Sequence, residues 1–331
     1  MRSVPRLLSP PYPIHLEHAT MSSSPTASDP RSLLEFRAEQ KTFEIGGIRV
    51  GGLPGVQPAV LIGSVFYHGH KVVLDEERGE LNESEAERVI RQQDEYAEKT
   101  GNPCMLDVVG ATPEAMPRNL AFAARVSSAP LLIDGTTTEV RLAGLRYAAE
   151  AGLMDRIVYN SIQPEISDEE LRAIEECGVK SAILLTYYLL DFTAAGRVHA
   201  VRELLPKCQQ AGVDQLLVDT CVLDLASFGS ACGAIFGVKD EFGFPAGGGV
   251  HNAIAMWKGL KTKMGDHAYH PCIAAAIAST VAIGGNFVLY GPAEDAKNVF
   301  PAVAMIDTAL SQLAIERGLR PVEGHPRFRV G

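Results

Sequence analysis

Residues 131–160, LLIDGTTTEVRLAGLRYAAEAGLMDRIVYN, contain the unit that decides the fold of this chain. Two short apolar runs, 131–134 and 157–160, flank an amphipathic helical pattern at 140–151. Neither run alternates between apolar and polar residues, which indicates strands that are buried on both faces of a parallel sheet. The segment therefore predicts a strand, a helix and a second strand parallel to the first.

The same unit recurs on both sides of this segment. The predicted strands are 60–64, 104–109, 131–134, 157–160, 182–186, 216–219, 246–249 and 287–290. Helical patterns between them include 84–99, 113–126, 140–151, 168–177, 197–210 and 295–316. Eight such units match an α/β fold of the closed (β/α)8 type, a TIM barrel with its helices outside. An open, doubly wound sheet would require a glycine-rich turn after the first strand, and GSVFY at 63–67 has no G-x-G-x-x-G pattern.

The barrel accounts for most of the 331 residues and leaves a segment at each end. Because the first 30 residues are rich in proline and serine, we expect 1–40 to be a disordered N-terminal extension. We expect 41–320 to form one TIM-barrel domain and 321–331 a C-terminal tail. Residues 42–52 alternate and contain two Gly-Gly pairs, which predicts a short hairpin before the first barrel strand.

Charge and cysteine usage argue against several classes of protein. A net charge of −10 is unfavourable for binding nucleic acid. None of the six cysteines lies in a CxxC pair, which is typical of free thiols in a reducing compartment. No apolar run reaches the roughly 18 residues of a membrane span. We therefore expect a cytoplasmic protein that is not an integral membrane protein.

Polar residues stand at or just after the carboxyl ends of the predicted strands: Asp107, Asp134, Asn160, Asp219 and Asn252. In a barrel these ends open onto one mouth, so we expect their side chains to converge on a single pocket. Each aspartate could instead cap the next helix. Thr112 is better placed as a cap after the second strand, and Thr137 or Thr138 after the third. The cluster is therefore a candidate ligand site.

The residue types in this cluster favour a flat nitrogen heterocycle. No lysine ends a strand, which argues against a phosphate ligand and against Schiff-base chemistry. A pterin carries a ring N–H beside an exocyclic amine, and an ionised aspartate can accept both. Asparagine amides can bind the remaining ring edge. The glycine run at 247–249 is either a phosphate loop or room for a bulky ligand.

A metal site is the main alternative from the residues alone. His68 and His70 follow the first strand, where barrel hydrolases place a metal-binding pair. Such sites need further histidine or lysine ligands from the middle strands, and the fourth to sixth strands end in Asn160, Thr186 and Asp219. We therefore expect no intrinsic metal. The two histidines are expected to order a loop or to contact a partner or a substrate tail.

Several long motifs resemble one known family. They are FEIGG at 43–47, LIGSVFYHGHK at 61–71, GNPCMLDVVG at 101–110, TPEAM at 112–116, LIDG at 132–135, VYNSI at 158–162, VKDEFG at 238–243 and LYGP at 289–292. These segments resemble the MtrH subunit family of tetrahydromethanopterin S-methyltransferase, and the resemblance runs from about 43 to 317. It implies a pterin-binding barrel that moves a methyl group between N5 of a tetrahydropterin, tetrahydrofolate or tetrahydromethanopterin, and the cobalt of a corrinoid.

The resemblance also implies partners and roles. The corrinoid is carried by a corrinoid-binding partner protein, and the barrel is expected to form a homodimer. A broader similarity to methyltetrahydrofolate:corrinoid methyltransferases assigns pterin binding to Asp134, Asn160 and Asp219. The same similarity places Asp107 and Asn252 beside N5 as catalytic residues, although the GGGVHN spacing before Asn252 departs from the broader pattern.

Three other functions stay open at this stage. A condensing enzyme like dihydropteroate synthase would need a lysine or arginine at the mouth to hold a pyrophosphate. A scaffold protein would bind a corrinoid protein without binding a pterin. A metal-dependent hydrolase would use His68 and His70.

Overall fold

The computed structural model describes residues 35–188 and 190–331. Most of the predicted N-terminal extension, residues 1–34, lies outside the described residues, as does Leu189. The strands are β1 Thr42–Ile45, β2 Ile48–Gly51, β3 Val60–Val65, β4 Val73–Asp75, β5 Glu80–Leu81, β6 Cys104–Gly110, β7 Leu131–Gly135, β8 Ile157–Ile162, β9 Ser181–Leu185, β10 Gln215–Asp219, β11 Ala246–Gly248 and β12 Phe287–Pro292. The helices are α1 Glu83–Thr100, α2 Ala115–Val126, α3 Thr138–Glu150, α4 Asp168–Glu176, α5 Ala194–Gln210, α6 Leu225–Phe242, α7 His251–Ala255, α8 Gly259–Met264, α9 Tyr269–Ala282 and α10 Ala296–Glu316.

Eight parallel strands close into a barrel in the order β3-β6-β7-β8-β9-β10-β11-β12. All eight predicted strands are present, and the prediction of a TIM barrel is confirmed. The register places Ser64 opposite Asp107 and Asp134 opposite Asn160. Polar residues that are far apart in sequence therefore become neighbours at the carboxyl ends of the strands.

The predicted helices are also present, with bounds that shift by up to three residues. Thr137 caps α3, as expected, by accepting a hydrogen bond from the backbone N–H of Val140. Helices α6 and α9 were not among the predicted helical patterns. The first has three interior glycines, which lower its helix propensity, and the second is apolar on most sides and therefore has no clear period.

The predicted hairpin is formed by β1 and β2, and it closes the N-terminal end of the barrel. Two backbone hydrogen bonds hold it there. The N–H of Lys41 donates to the carbonyl of Gly243 (2.8 Å), and the N–H of Gly46 donates to the carbonyl of Asp155 (3.1 Å). Ile45 and Val50 are buried together with the inward side chains of the barrel strands. Their side chains thus fill the N-terminal end of the barrel interior.

Both terminal segments contact the barrel where they are described. Arg37 donates to the carboxylate of Asp240 on α6 (2.6 Å). In the tail, the N–H of Val322 donates to the carbonyl of Val56 (3.0 Å), and His325 is fully buried. The stretch Pro326–Phe328 packs against α10.

One helical stretch, Ala293–Glu316, has the length and apolar composition to cross a membrane. It contains α10, the last helix of the barrel, which packs against α1 and α9. Val299, Phe300 and Val303 are fully buried in this packing. Burial in the barrel wall therefore accounts for part of the apolar character of the stretch, of which 44% is buried.

Candidate active site

Four of the five predicted site residues lie together at the mouth of the barrel. The carboxylate of Asp107 on β6 accepts hydrogen bonds from Ser64 Oγ on β3 (2.7 Å) and from Asn160 Nδ2 on β8 (3.2 Å). Asp134 on β7 lies between them, opposite Asn160 in the sheet register. Asp219 ends β10, and its pKa responds to the charge of Asp107. Three carboxyl groups and an amide thus form one buried cluster at the carboxyl ends of the strands.

Burial shifts the proton affinity of all three aspartates in the same direction. It raises the pKa of Asp107 to about 6, against the hydrogen bonds from Ser64 and Asn160, which favour the ionised form. The pKa of Asp134 is raised well above its ordinary value by burial and then by the charge of Asp107, and the guanidinium of Arg141 opposes this. Burial raises the pKa of Asp219 to about 6. Near neutral pH ionised and protonated aspartates can therefore lie side by side in this cluster.

The loop after β10 wraps back onto the side chain of Asp219. Cys221 has a φ of 57°, and its N–H donates to Asp219 Oδ1 (2.7 Å). A side chain at Gly248 would place its Cβ 2.7 Å from the same oxygen. Gly248 therefore leaves room for the Asp219 side chain, which is a role that neither expectation for the glycine run included.

Asn252, the fifth predicted residue, lies in the first turn of α7, and the structure does not join it directly to the other four. Its Nδ2 donates to the carbonyl of Val222 in the loop after β10 (3.1 Å). The neighbouring His251 contacts the carbonyl of Leu289 on β12 (3.1 Å). Asn252 thus lies at the same end of the barrel as the carboxylates, on a separate loop and half-buried.

Two buried arginines hold the backbone directly after Asp134 and Asp219, and neither was predicted from the sequence. Arg141 on α3 donates to the carbonyl of Gly135 (2.8 Å), directly after Asp134, and to the carboxylate of Glu170 (2.7 Å). Arg197 on α5 donates to the carbonyl of Thr220 (2.7 Å), directly after Asp219. The signal in the sequence was a charged residue on the inward face of an amphipathic helix.

The arginines also bear on the alternative of a condensing enzyme. Arg141 is bound to Glu170 and Gly135, and Arg197 is bound to backbone carbonyls on both sides of its guanidinium. Both guanidinium groups are therefore occupied by these contacts and do not offer a cation to an anionic ligand at the mouth of the barrel. The geometry does not favour a pyrophosphate site at these arginines.

His68 and His70 order the loop after β3. His70 is buried, its Nδ1 accepts the N–H of Phe66 (2.9 Å), and its Nε2 lies 2.8 Å from a carboxylate oxygen of Glu294. His68 is exposed and contacts Glu76 (2.8 Å). Within the described part of the chain, no group of three or more His, Cys, Asp or Glu side chains could hold a metal ion. These contacts do not favour the hydrolase alternative.

A closed parallel barrel with carboxylates and amides at its mouth defines the class of TIM-barrel enzymes with their active site at the carboxyl ends of the strands. Solved structures with this fold include Yersinia pestis dihydropteroate synthase with a pterin–sulfa conjugate (TM-score 0.58, 16% identity, 82% of this chain and 100% of that chain). Another is the dihydropteroate synthase of Coxiella burnetii with pteroic acid (TM-score 0.56, 15% identity, 82% and 99%). At these identities the likeness shows the fold alone.

The family follows from the sequence matches. The family model described as the tetrahydromethanopterin S-methyltransferase MtrH subunit matches residues 38–322, and the chain belongs to this family. The H subunit of tetrahydromethanopterin S-methyltransferase from Methanothermobacter thermautotrophicus is 38% identical over 309 residues, covering 90% of this chain and 100% of the relative. The H subunit of a putative mtx methyltransferase from Methanosarcina barkeri is 34% identical over 305 residues, covering 89% and 98%. The predicted family is confirmed.

Proposed function

We propose that this protein is a cytoplasmic methyltransferase of one-carbon metabolism. It moves a methyl group between N5 of a tetrahydropterin and the cobalt of a corrinoid that a partner protein carries. The family relatives are named as methyltransferase subunits, and that of Methanothermobacter thermautotrophicus is named for tetrahydromethanopterin. The observation that supports the proposal is the cluster of Asp107, Asp134, Asn160 and Asp219 at the carboxyl ends of the strands. Residues 41–320 form the catalytic domain, and 321–331 form its tail.

In this proposal three residues hold the pterin ring. Asp219, ionised above pH 6, accepts a ring N–H and the exocyclic amine in a paired contact. The amide of Asn160 binds the opposite ring edge, and Asp134 accepts a further ring donor. These contacts fix the plane of the ring, so N5 and its methyl group face the mouth.

Asp107 and Asn252 act on N5. When the methyl carbon passes to the corrinoid cobalt, the electron pair of the N5–carbon bond stays on nitrogen, which is a poor leaving group unless it receives a proton or a hydrogen bond. Asp107, with a pKa of about 6, can hold a proton close to neutral pH, and the amide of Asn252 can donate a hydrogen bond. The barrel also aligns the reacting atoms, which lowers the barrier further.

The function is tested by calorimetry and by a methyl-transfer assay. The protein is expected to bind 5-methyltetrahydromethanopterin or 5-methyltetrahydrofolate and to transfer the methyl group to free cob(I)alamin, followed by the absorbance of methylcobalamin. Both 5-methyl pterins are used because the ring contacts above do not distinguish them. Absence of binding to both would favour the scaffold alternative. Bound zinc with turnover of an amide or ester would favour the hydrolase.

We also propose that the protein forms a homodimer through α9 and α10. Between 298 and 315 the one charged residue, Asp307, is buried, and α9 has no Asp, Glu, Lys or Arg. Two copies with net charge −10 repel least where both present an uncharged surface. Helix α10 is about 30 Å long, and two adjacent helices offer roughly 600 Å² per protomer, close to the size of a stable interface.

Introducing a charge on this face is expected to separate the dimer. Met305 is 61% exposed at the middle of α10, so Met305→Glu places two carboxylates near each other across a two-fold interface. Light scattering after size exclusion should give a dimer for the wild type and a monomer for the variant. Leu74→Glu, at a 68% exposed position on β4, is the control and should remain a dimer. A monomeric wild type, or a variant that stays dimeric, would contradict this interface.

A further inference from the structure

The connection between β11 and α9 forms an insert at the mouth of the barrel. It contains α7 and α8 and begins at the loop that touches Asp219. His251 ties it to Leu289 on β12, and Leu260 on α8 is buried against the apolar residues of α7. The insert is therefore fixed at the end of the barrel where the carboxylates and Asn252 lie.

The insert carries a net positive charge. Lys258, Lys261 and Lys263 lie within six residues and all are exposed, and Asp266 is the one acidic residue between 253 and 266. Among the described residues no ion pair joins any of the three to a carboxylate. On α1, by contrast, Arg88, Arg91 and Lys99 pair with glutamates one turn away. In a chain of net charge −10, this local cation cluster is an exception.

The contacts of Lys261 orient the cluster along the wall of the mouth. Its Nζ lies 4.7 Å from the ring centroid of Tyr269. Tyr67 lies in the loop after β3, and burial raises its pKa, followed by the charges of Glu294 and Asp295 and then by Tyr269. Tyr269 is therefore close to Tyr67. Lys261 thus lies on the side of the insert that faces the loop after β3, and Lys258 and Lys263 are its neighbours in sequence.

We propose that Lys258, Lys261 and Lys263 form a subsite for the anionic groups at the end of the pterin co-substrate's tail. This inference rests on the proposed function, because a pterin ring that is held at the strand ends must extend its tail out through the mouth of the barrel. The tail of tetrahydrofolate ends in glutamate carboxylates, and that of tetrahydromethanopterin carries a phosphate and carboxylates. Exposed ammonium groups bind either kind of anion as point charges. An acidic partner surface is the competing occupant, but the three lysines follow Asn252 in the same insert, which favours the pterin tail.

The test replaces all three lysines by glutamine and compares ligands with and without a tail. The ligands are 5-methyltetrahydrofolate with one and with three glutamates, 5-methyltetrahydromethanopterin, and 5,6-dimethyltetrahydropterin, which has no tail. The triple variant is expected to bind its tail-bearing ligand about tenfold more weakly and the tail-less pterin as tightly as the wild type. Added salt should weaken tail binding in the wild type and have little effect in the variant. Lys180→Gln, an exposed lysine at the other end of the barrel, is the control.

Each outcome is distinct. A larger effect with the triglutamate than with the monoglutamate assigns the subsite to glutamate carboxylates, and an effect confined to 5-methyltetrahydromethanopterin assigns it to the phosphate-bearing tail of that ligand. Unchanged tail binding, or equal loss for the tail-less pterin, would overturn the subsite. So would intact pterin affinity combined with loss of docking of the corrinoid-carrying protein. A wild type that binds no pterin of either kind would refute the proposed function itself.

Discussion

Replacing Asp219 by asparagine is expected to weaken tetrahydropterin binding about a hundredfold, because an ionised carboxylate that accepts two ring donors is worth about 2–3 kcal/mol more than an amide that accepts one. The fold should tolerate the change. The amide oxygen can still accept the N–H of Cys221, which now bonds to the carboxylate at 2.7 Å.

The pH dependence separates binding from stability. Burial raises the pKa of Asp219 from 3.8 to about 6, so between these values the folded protein binds more protons than the unfolded chain. The contribution of this group to the free energy of unfolding is therefore greatest at low pH and falls as the pH rises through 6. Pterin binding changes in the opposite direction, because the ionised form is the acceptor. Asp219→Asn should lose the share of both dependences that comes from this carboxyl group, leaving the share of Asp107 and Asp134, and should unfold at pH 8 no more easily than the wild type.

Calorimetry with the 5-methyl pterin below and above pH 6, and urea unfolding at the same pH values, measure these effects. Asp214→Asn is the matched control, because Asp214 is exposed and directly precedes the other end of β10. A variant at Asp219 that binds the pterin and transfers methyl groups as fast as the wild type would contradict the assignment.

The barrel and its mouth could be predicted because both depend on local sequence patterns. Continuous apolar runs mark strands that are covered on both faces, and a polar residue that ends such a run must face the mouth. This logic grouped Asp107, Asp134, Asn160 and Asp219 before the structure showed them side by side.

The supporting contacts could not be predicted because they depend on register and helix rotation. Ser64 meets Asp107 only through the pairing of β3 with β6. Arg141 and Arg197 reach the strand ends because α3 and α5 turn those residues inward, where each also holds a backbone carbonyl. The separate position of Asn252 follows from the path of the loop after β11, which its glycines do not determine in advance.

Replacing Arg141 by leucine is expected to have the largest effect on stability, a loss of about 3–5 kcal/mol in the free energy of unfolding. The side chains of Arg141 and Glu170 are only 10% and 3% exposed, and their atoms lie 2.7 Å apart. Removing the guanidinium leaves the Glu170 carboxylate buried with only the hydroxyls of Tyr159 and Thr138 as donors. Urea unfolding measures the loss, and the double variant Arg141→Leu with Glu170→Leu should recover most of it because no charge is then buried alone.

The same substitution connects this ion pair to the site. The charge of Arg141 opposes the burial and the Asp107 carboxylate that raise the pKa of Asp134, so its loss raises that pKa further. Pterin binding that uses ionised Asp134 should then require a higher pH in Arg141→Leu. Arg141→Lys keeps the charge but loses the paired contact with Glu170, so it should restore the pH dependence while recovering only part of the stability. Full stability in Arg141→Leu would show that Arg141 does not stabilise the fold. An unshifted pH profile for pterin binding would show that it does not set the charge of Asp134.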